Sequence, residues 1–337
     1  MISGQKLIVC ICSILADVKL GSCFVNNPLH PAKLRQPKIL YSDLQVTSIN
    51  TTLVPPGILG PPDTLKAIEV GQHVRAFRNL QYAKDADTDK IQEFTIQRIS
   101  SSPDIFCLRN FLTPSECNQI KSTAKASGMK QAETVTDDDA SSRKNCSVAW
   151  LSSDGQYSSI SSSLVAATAN IFLSEHVTSH PTAGVEDLQV LRYGTGGEFV
   201  HHHDGEPRIL TVIYYLNGVG STWFPLSRAC TENESTPANK AQVLDLVKDF
   251  QPGKNGVLIK GVTGNAPRNS TNTANREENE HIVHVNPGDA IAFYNYLDDG
   301  SGRLDWRAIH CGLPTTEEEG TKWIANHWYT LHALAEM

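Results

Sequence analysis

The sequence predicts an α+β fold, with helices in the N-terminal half supporting a core of short strands arranged as a sandwich or a jelly roll. Three observations predict it. Apolar residues recur at intervals of three and four in two segments before residue 176. From Val185 onward the pattern changes to short runs rich in β-branched and aromatic residues. Turn signals rich in Gly, Asn and Pro separate those runs, and helices followed by many strands is the order of an α+β chain rather than of alternating βαβ units.

The first 23 residues read as a leader. Residues 7–16 form an apolar run of roughly ten residues after Lys6, the size of a signal-peptide core and too short to span a bilayer. Leu20-Gly21-Ser22-Cys23 offers small residues for cleavage, so the expected location is the secretory pathway, in the lumen of the endoplasmic reticulum. The alternative is an organelle presequence, because residues 24–62 hold basic and hydroxylated residues but few acids. Residues 24–64 are rich in Pro, Asn and Thr and read as a flexible linker, with the folded body spanning 65–337.

Within the body, Thr113-Pro114-Ser115-Glu116 supplies an N-cap, a proline at the first helical position and an acid in the first turn, ahead of a helix through residue 126. A second helix is expected over 160–175, where Ile160, Leu164, Ala167 and Ile171 share one face. Strands are expected over 188–193, 209–216, 281–285, 290–294 and 322–329. Gly194-Thr195-Gly196-Gly197, Asn217-Gly218 and Pro287-Gly288-Asp289 are read as the turns between them. Residues 227–279 form a polar insert, whose half at 264–280 has the composition of a surface loop.

Composition narrows the function. The 337 residues are 40% hydrophobic and 19% charged, enough for a sizeable core, and the net charge of −7 comes with Lys and Arg scattered along the chain. No basic stripe exists to meet a phosphate backbone, so nucleic acid is not expected as a partner, and no stable membrane span is expected. Of the eight cysteines, Cys107, Cys117, Cys146, Cys230 and Cys311 lie in the body; one or two disulfides remain open there, and the lack of a CxxC pair argues against a zinc site.

The chemistry is concentrated in Tyr193 to Asp204 and in residues 306–329. His201-His202-His203-Asp204 brings three imidazoles and a carboxylate to a strand end, where alternation lets His202 and Asp204 face one way. Two histidines and one carboxylate on one face of an octahedron is the donor set of non-haem Fe(II), leaving positions for a chelating co-substrate and O2. The second histidine must come from elsewhere: His310 is the leading candidate, with His281, His284 and His327 as competitors. Lys322 follows His310 by twelve positions and shares a strand face with Ile324, Asn326 and Trp328. An ammonium on a face fit for burial calls for an anionic partner, which a dicarboxylate would supply.

These pieces resemble the prolyl 4-hydroxylase family of Fe(II)- and 2-oxoglutarate-dependent dioxygenases, from about residue 103 to residue 329. The likeness is carried by Asn110-Phe111-Leu112-Thr113, the block from Arg192 to Asp204, Arg208 to Asn217, Thr222-Trp223-Phe224-Pro225, Pro287-Gly288-Asp289-Ala290, and His310 through Trp328. It implies a double-stranded β-helix, or jelly roll, with supporting N-terminal helices. It also implies that His202, Asp204 and His310 bind Fe(II) and carry the catalysis, that Lys322 pairs with the far carboxylate of 2-oxoglutarate, and that Tyr193 lines that pocket. The implied reaction consumes O2 and 2-oxoglutarate, releases succinate and CO2, and hydroxylates an unactivated C–H bond, with peptidyl-proline in a protein or peptide as leading substrate and ascorbate as the reductant that restores the iron. Asp204 argues against a halogenase, where a small residue stands at that position. Two other readings stay open: a cupin-like isomerase or lyase using the same metal, which Lys322 disfavours, and a silent binding domain, which the complete triad disfavours. The insert at 227–279 departs from the family's short connection and leaves the substrate open.

Overall fold

The computed structural model describes residues 58–80, 90–132, 143–152, 158–181, 183–227, 236–262 and 281–332. The leader, most of the linker and the 264–280 half of the insert lie outside the described residues, as does Cys230. Short α1 (Asp63–Lys66) precedes an antiparallel meander of β1 (His73–Leu80), β2 (Lys90–Ser101) and β3 (Asp104–Arg109). Then come α2 (Pro114–Ala126), β4 (Lys130–Gln131), β5 (Arg143–Leu151), α3 (Ser158–Phe172), α4 (Glu175–Ser179) and β6 (Ala183–Val185). The remainder is β7 (Leu188–His202), β8 (Arg208–Tyr215), β9 (Ser221–Phe224), α5 (Lys240–Leu246), β10 (Val257–Gly261), β11 (Ile282–Val285), β12 (Ala290–Tyr294), β13 (His310–Leu313) and β14 (Lys322–Leu331).

One continuous path of pairing, β1-β2-β3-β12-β8-β14-β7-β13-β9-β10-β11, folds back on itself to make the two layers of a jelly roll. The fold-back occurs along β7. Its first half pairs with β14, through Tyr193 opposite Lys322, and its second half pairs with β13, through His202 opposite His310. Its other edge carries β5.

Alternation sorts side chains into two cores, as a period of two requires. On β8, Ile213 and Tyr215 point between the layers, where they meet Phe224, Val257, Ile259 and Val285; on β12, Ile291 and Phe293 do the same. Val212, Tyr214, Ala290, Ala292 and Tyr294 point the other way, onto Ile120 and Ala124 of α2 and Leu164 and Phe172 of α3. Lys322 has the parity of Ile324, so its stem runs between the layers beside Tyr193.

The helices follow the expected capping. Thr113 accepts a hydrogen bond from the Glu116 amide while the Glu116 carboxylate accepts from Thr113, a complete capping box. The same carboxylate meets the buried Arg78 guanidinium of β1 at 2.5 Å, and Arg78 also donates to Ser163 of α3, which ties the meander to both helices. The second helix stops at Phe172 rather than at 175, because Ser174 caps α4 as a separate turn.

Two expectations need correcting. The N-terminal half holds a three-stranded meander as well as helices. Gly194-Thr195-Gly196-Gly197 is no turn but the middle of β7: Gly196 has φ +71°, and a Cβ at Gly194 or Gly197 would collide with Asn145 of β5, so the glycines serve a bulge and a close strand approach. The described part of the polar insert is built into the fold: Val243 of α5, Val247 just after it, and Val257 and Ile259 of β10 join buried clusters. All four described cysteines of the body are buried free thiols. No helix among the described residues is long and apolar enough to cross a membrane.

Candidate metal and co-substrate site

Two chain segments meet at the fold-back. The end of β7 delivers His202, the residues just beyond it deliver Asp204, and the start of β13 delivers His310. Their donor atoms all lie within 4.8 Å of one another, with His202 Nε2 3.9 Å from Asp204 Oδ1. The two imidazole rings are 4.2 Å apart between centroids. This is the one such group of His, Cys, Asp or Glu among the described residues. Asp204 sits past the strand end instead of on it, so its approach to His202 comes from the backbone turn and not from strand alternation.

Each donor is oriented from behind. His202 Nδ1–H donates to the Val200 carbonyl at 2.8 Å and His310 Nδ1–H to the Ala308 carbonyl at 3.0 Å, which leaves both Nε2 lone pairs facing the cluster. The Thr211 hydroxyl donates to Asp204 Oδ2 at 2.5 Å, leaving Oδ1 for the cluster, and Asn295 Nδ2 donates to Thr211 Oγ1 at 3.0 Å. Burial, with the adjacent His310, holds the His202 imidazole well below its usual value, so it is neutral at pH 7. Burial alone would raise the Asp204 carboxyl; His310, His202, Arg208 and the Thr211 hydroxyl outweigh it and hold the group well below the ordinary carboxylate range. Two imidazoles, each with its Nε2 turned toward the cluster, and one ionised carboxylate fit a divalent iron.

Lys322 is 2% exposed and donates to the Ser221 carbonyl at 2.7 Å. Its Nζ is 5.7 Å from the centre of the Tyr193 ring, and it borders Gly312, two residues from His310. Among the described residues no carboxylate lies in salt-bridge range of it, and burial pulls its ammonium down from 10.5 to about 8 against the influence of Cys311, Cys146 and Glu319. That depression corresponds to about 3 kcal/mol of disfavoured charge. A buried cation with one carbonyl for company, close to the triad, fits the far carboxylate of 2-oxoglutarate. Space for its stem depends on Gly220, where a Cβ would meet Lys322 Cδ at 2.5 Å.

The other histidines are engaged elsewhere. His201 packs edge-on against Trp223, His281 bonds the Gly256 carbonyl, and His327 is buried beside Tyr214 and Tyr329. His203 points away from the cluster toward Trp306 and Asp305.

Residues 188–330, a stretch containing all five site residues, match the sequence model of the 2OG-Fe(II) oxygenase superfamily. Over that stretch the chain has the sequence of a 2OG-Fe(II) oxygenase. The oxygenase is a 2-oxoglutarate-dependent dioxygenase, and Fe(II), 2-oxoglutarate and O2 are the cofactors of its family. It is 28% identical over 246 residues to a probable prolyl 4-hydroxylase 4 of Arabidopsis thaliana, covering 69% of each chain. It is 30% identical over 173 residues to a transmembrane prolyl 4-hydroxylase of Mus musculus, covering 42% of the oxygenase and 29% of that relative. Among solved structures, a viral collagen prolyl hydroxylase from Paramecium Bursaria Chlorella virus-1, in complex with 2-oxoglutarate, aligns with TM-score 0.40 and 21% identity over 67% of the oxygenase and 94% of that chain.

Several groups of the site had no signal in the sequence. Phe199 stacks on His202 at 3.6 Å, and the Arg143 guanidinium lies 4.1 Å above Phe199. Arg208 donates to the Asp204 carbonyl at 3.3 Å, pairs with both oxygens of Glu186, and covers the Trp328 ring at 3.9 Å. Trp328 in turn packs against Trp150, which is 46% exposed. Trp328 itself is buried, and the Trp150 ring resting on it is exposed.

Proposed function

We propose that the protein hydroxylates peptidyl-proline to 4-hydroxyproline, with His202, Asp204 and His310 holding Fe(II), Lys322 holding the far carboxylate of 2-oxoglutarate and Tyr193 lining that pocket. The observation that carries this reading is the buried, carboxylate-free Lys322 beside a triad of two histidines and one carboxylate. When bound, iron and 2-oxoglutarate supply an oxidation that splits O2, releasing succinate and CO2 and placing one oxygen atom in a substrate C–H bond. The chain's own groups bind and orient. Val200 and Ala308 carbonyls aim the two imidazoles, Thr211 fixes the Asp204 rotamer, and Lys322 sets the direction from which a dicarboxylate enters. The layers' apolar lining, with Phe224 and Phe293 beside His310, keeps water from the reacting centre.

The exposed Trp150 ring, backed by Trp328, supports an extended, proline-containing peptide as substrate, since aromatic faces suit the stiff polyproline conformation. The relatives' names as prolyl 4-hydroxylases support the same substrate. Ascorbate is the reductant in this proposal, and the apolar run at 7–16 supports secretory entry.

The test is succinate release by the full chain with Fe(II) and 2-oxoglutarate, with and without a proline-rich peptide, read together with the peptide's mass. Peptide-stimulated succinate and a gain of one oxygen on proline are expected. Succinate without any peptide effect would remove proline as substrate while leaving the enzyme class; no succinate with any substrate would overturn the reading.

The pH dependence follows from Lys322. Only its protonated form attracts a dicarboxylate, so kcat/KM for 2-oxoglutarate, which reports the free enzyme, falls tenfold per pH unit above about 8. The groups facing it are Cys311, Cys146, Tyr193 and Glu319; burial pushes the two thiols up to about 12 and about 11, and the Tyr193 phenol higher still. None of the thiols or the phenol titrates before the lysine. Lys322→Arg, charged throughout, loses this alkaline decline. A flat profile to pH 9.5 in the unsubstituted enzyme would contradict the assignment of Lys322.

A further inference from the structure

We propose that His203 is a positioning residue that locks the two ligand-bearing segments together, so that the metal site is preformed before any ion arrives. The inference rests on the reading of His202, Asp204 and His310 as ligands. Those ligands come from residues 202–204 and from the start of β13; the ladder between β7 and β13 sets His202 opposite His310, but Asp204 lies beyond the strand end, where a few polar contacts set its spacing from the His310 segment.

His203 uses both ring nitrogens. Its Nδ1 accepts from the Gly205 amide at 3.0 Å, immediately after Asp204, which places the proton on Nε2; Nε2–H donates to the Asp305 carbonyl at 3.1 Å. Its ring packs on Trp306 with centroids 5.2 Å apart. The Asp305 carbonyl also accepts from the Ala308 amide at 2.9 Å, closing the short 3-10 turn Trp306–Ala308, and the Ala308 carbonyl is the group that orients His310. One imidazole therefore reaches from the peptide behind Asp204 to the turn behind His310.

A second branch closes the circuit. The Asp305 amide donates to the Asn295 carbonyl at 2.9 Å, Asn295 Nδ2 donates to Thr211, and Thr211 donates to Asp204 Oδ2. Asp305 thus stands at the junction of two routes, one through His203 to the backbone after Asp204 and one through Asn295 and Thr211 to the Asp204 carboxylate. Its own carboxylate is occupied by Arg307, whose Nε and Nη2 donate at 2.7 and 2.8 Å, and Arg307 Nη1 is anchored on Ser102. The junction is held in place rather than free to follow the metal. A histidine present only for packing would not need two backbone partners, one on each ligand segment.

The test uses the full chain stripped of metal, titrated with Co(II) and followed by calorimetry and by visible absorbance, beside the melting temperature of the metal-free protein. His203→Phe keeps a ring against Trp306 and removes both hydrogen bonds. It is expected to weaken Co(II) binding roughly ten- to hundredfold, with the metal-free melting temperature unchanged and an altered Co(II) absorption band. His203→Gln, which can still donate to Asp305, is expected to recover most of the affinity, and His202→Ala to abolish it. Binding within twofold of the unsubstituted chain in His203→Phe would overturn the inference. So would equal impairment of the Phe and Gln variants, or a loss of affinity matched by a loss of metal-free melting temperature. No Co(II) binding by the unsubstituted chain would overturn the ligand reading and this inference together.

Discussion

Asp204→Ala is expected to lower kcat/KM at least about a thousandfold, equivalent to about 4 kcal/mol of transition-state stabilisation, and to leave Fe(II) binding too weak to measure by calorimetry. The carboxylate is the triad's only negative charge, and two imidazoles, which carry none, cannot by themselves compensate a divalent cation in so enclosed a site. The substitution also takes away the acceptor that Thr211 meets at 2.5 Å, leaving a buried hydroxyl without its partner. Asp204→Asn separates the two effects: it keeps the Thr211 hydrogen bond but not the charge, so it should retain the metal-free melting temperature and still lose turnover. Turnover within tenfold of the unsubstituted enzyme in either variant would remove Asp204 from the ligand set.

Lys322→Ala is the second large effect, and it falls on a different parameter. The KM for 2-oxoglutarate is expected to rise a hundred- to a thousandfold, about 3 to 4 kcal/mol, within the range for losing one partner of a buried charge pair. At saturating co-substrate kcat should stay within about threefold, because the lysine does not touch the reacting bond. Stability moves the opposite way in the metal-free, co-substrate-free protein. The lysine's depressed value means that folding opposes its charge at neutral pH, so stability is gained as pH rises from about 8 toward 10.5. Lys322→Met, which keeps the stem between the layers and drops the charge, should therefore melt higher than the unsubstituted chain at pH 7. An unchanged KM in Lys322→Ala would transfer the co-substrate's anchor to another residue.

The sequence made the donors legible and their supports illegible. His202, Asp204, His310 and Lys322 stand out because their residue types are costly to bury without a function, and that cost is visible in one dimension. Strands β8, β12 and β14 were legible for a similar reason: each is a short run of β-branched and aromatic residues bounded by turn chemistry. The meander was not. In β2 the alternation breaks at a bulge between Arg98 and Ser100, and β3 is buried on both faces, so neither shows a clean period of two. β7 was cut short at its glycines, since glycine marks a turn and a bulge equally well until the partner strand is known. Thr211, Asn295 and His203 act through contacts between elements distant in the chain, which no local pattern encodes. The 227–279 segment was read only as a polar insert, because its few apolar residues are spaced too widely to show a face by themselves.

That insert also bears on how the protein could be altered. Val243 of α5 and Val247 just after it, with Leu226, enclose Ile309, and Trp306 and Phe250 complete the cluster, so this segment forms the outer wall of the turn that precedes His310. Shortening the connection between β9 and β10, as one would to graft in a smaller loop, strips the cover from two large apolar residues at the base of a ligand. A chimera made at this point needs compensating polar substitutions at both positions, and a segment of polar composition is therefore among the least freely exchangeable.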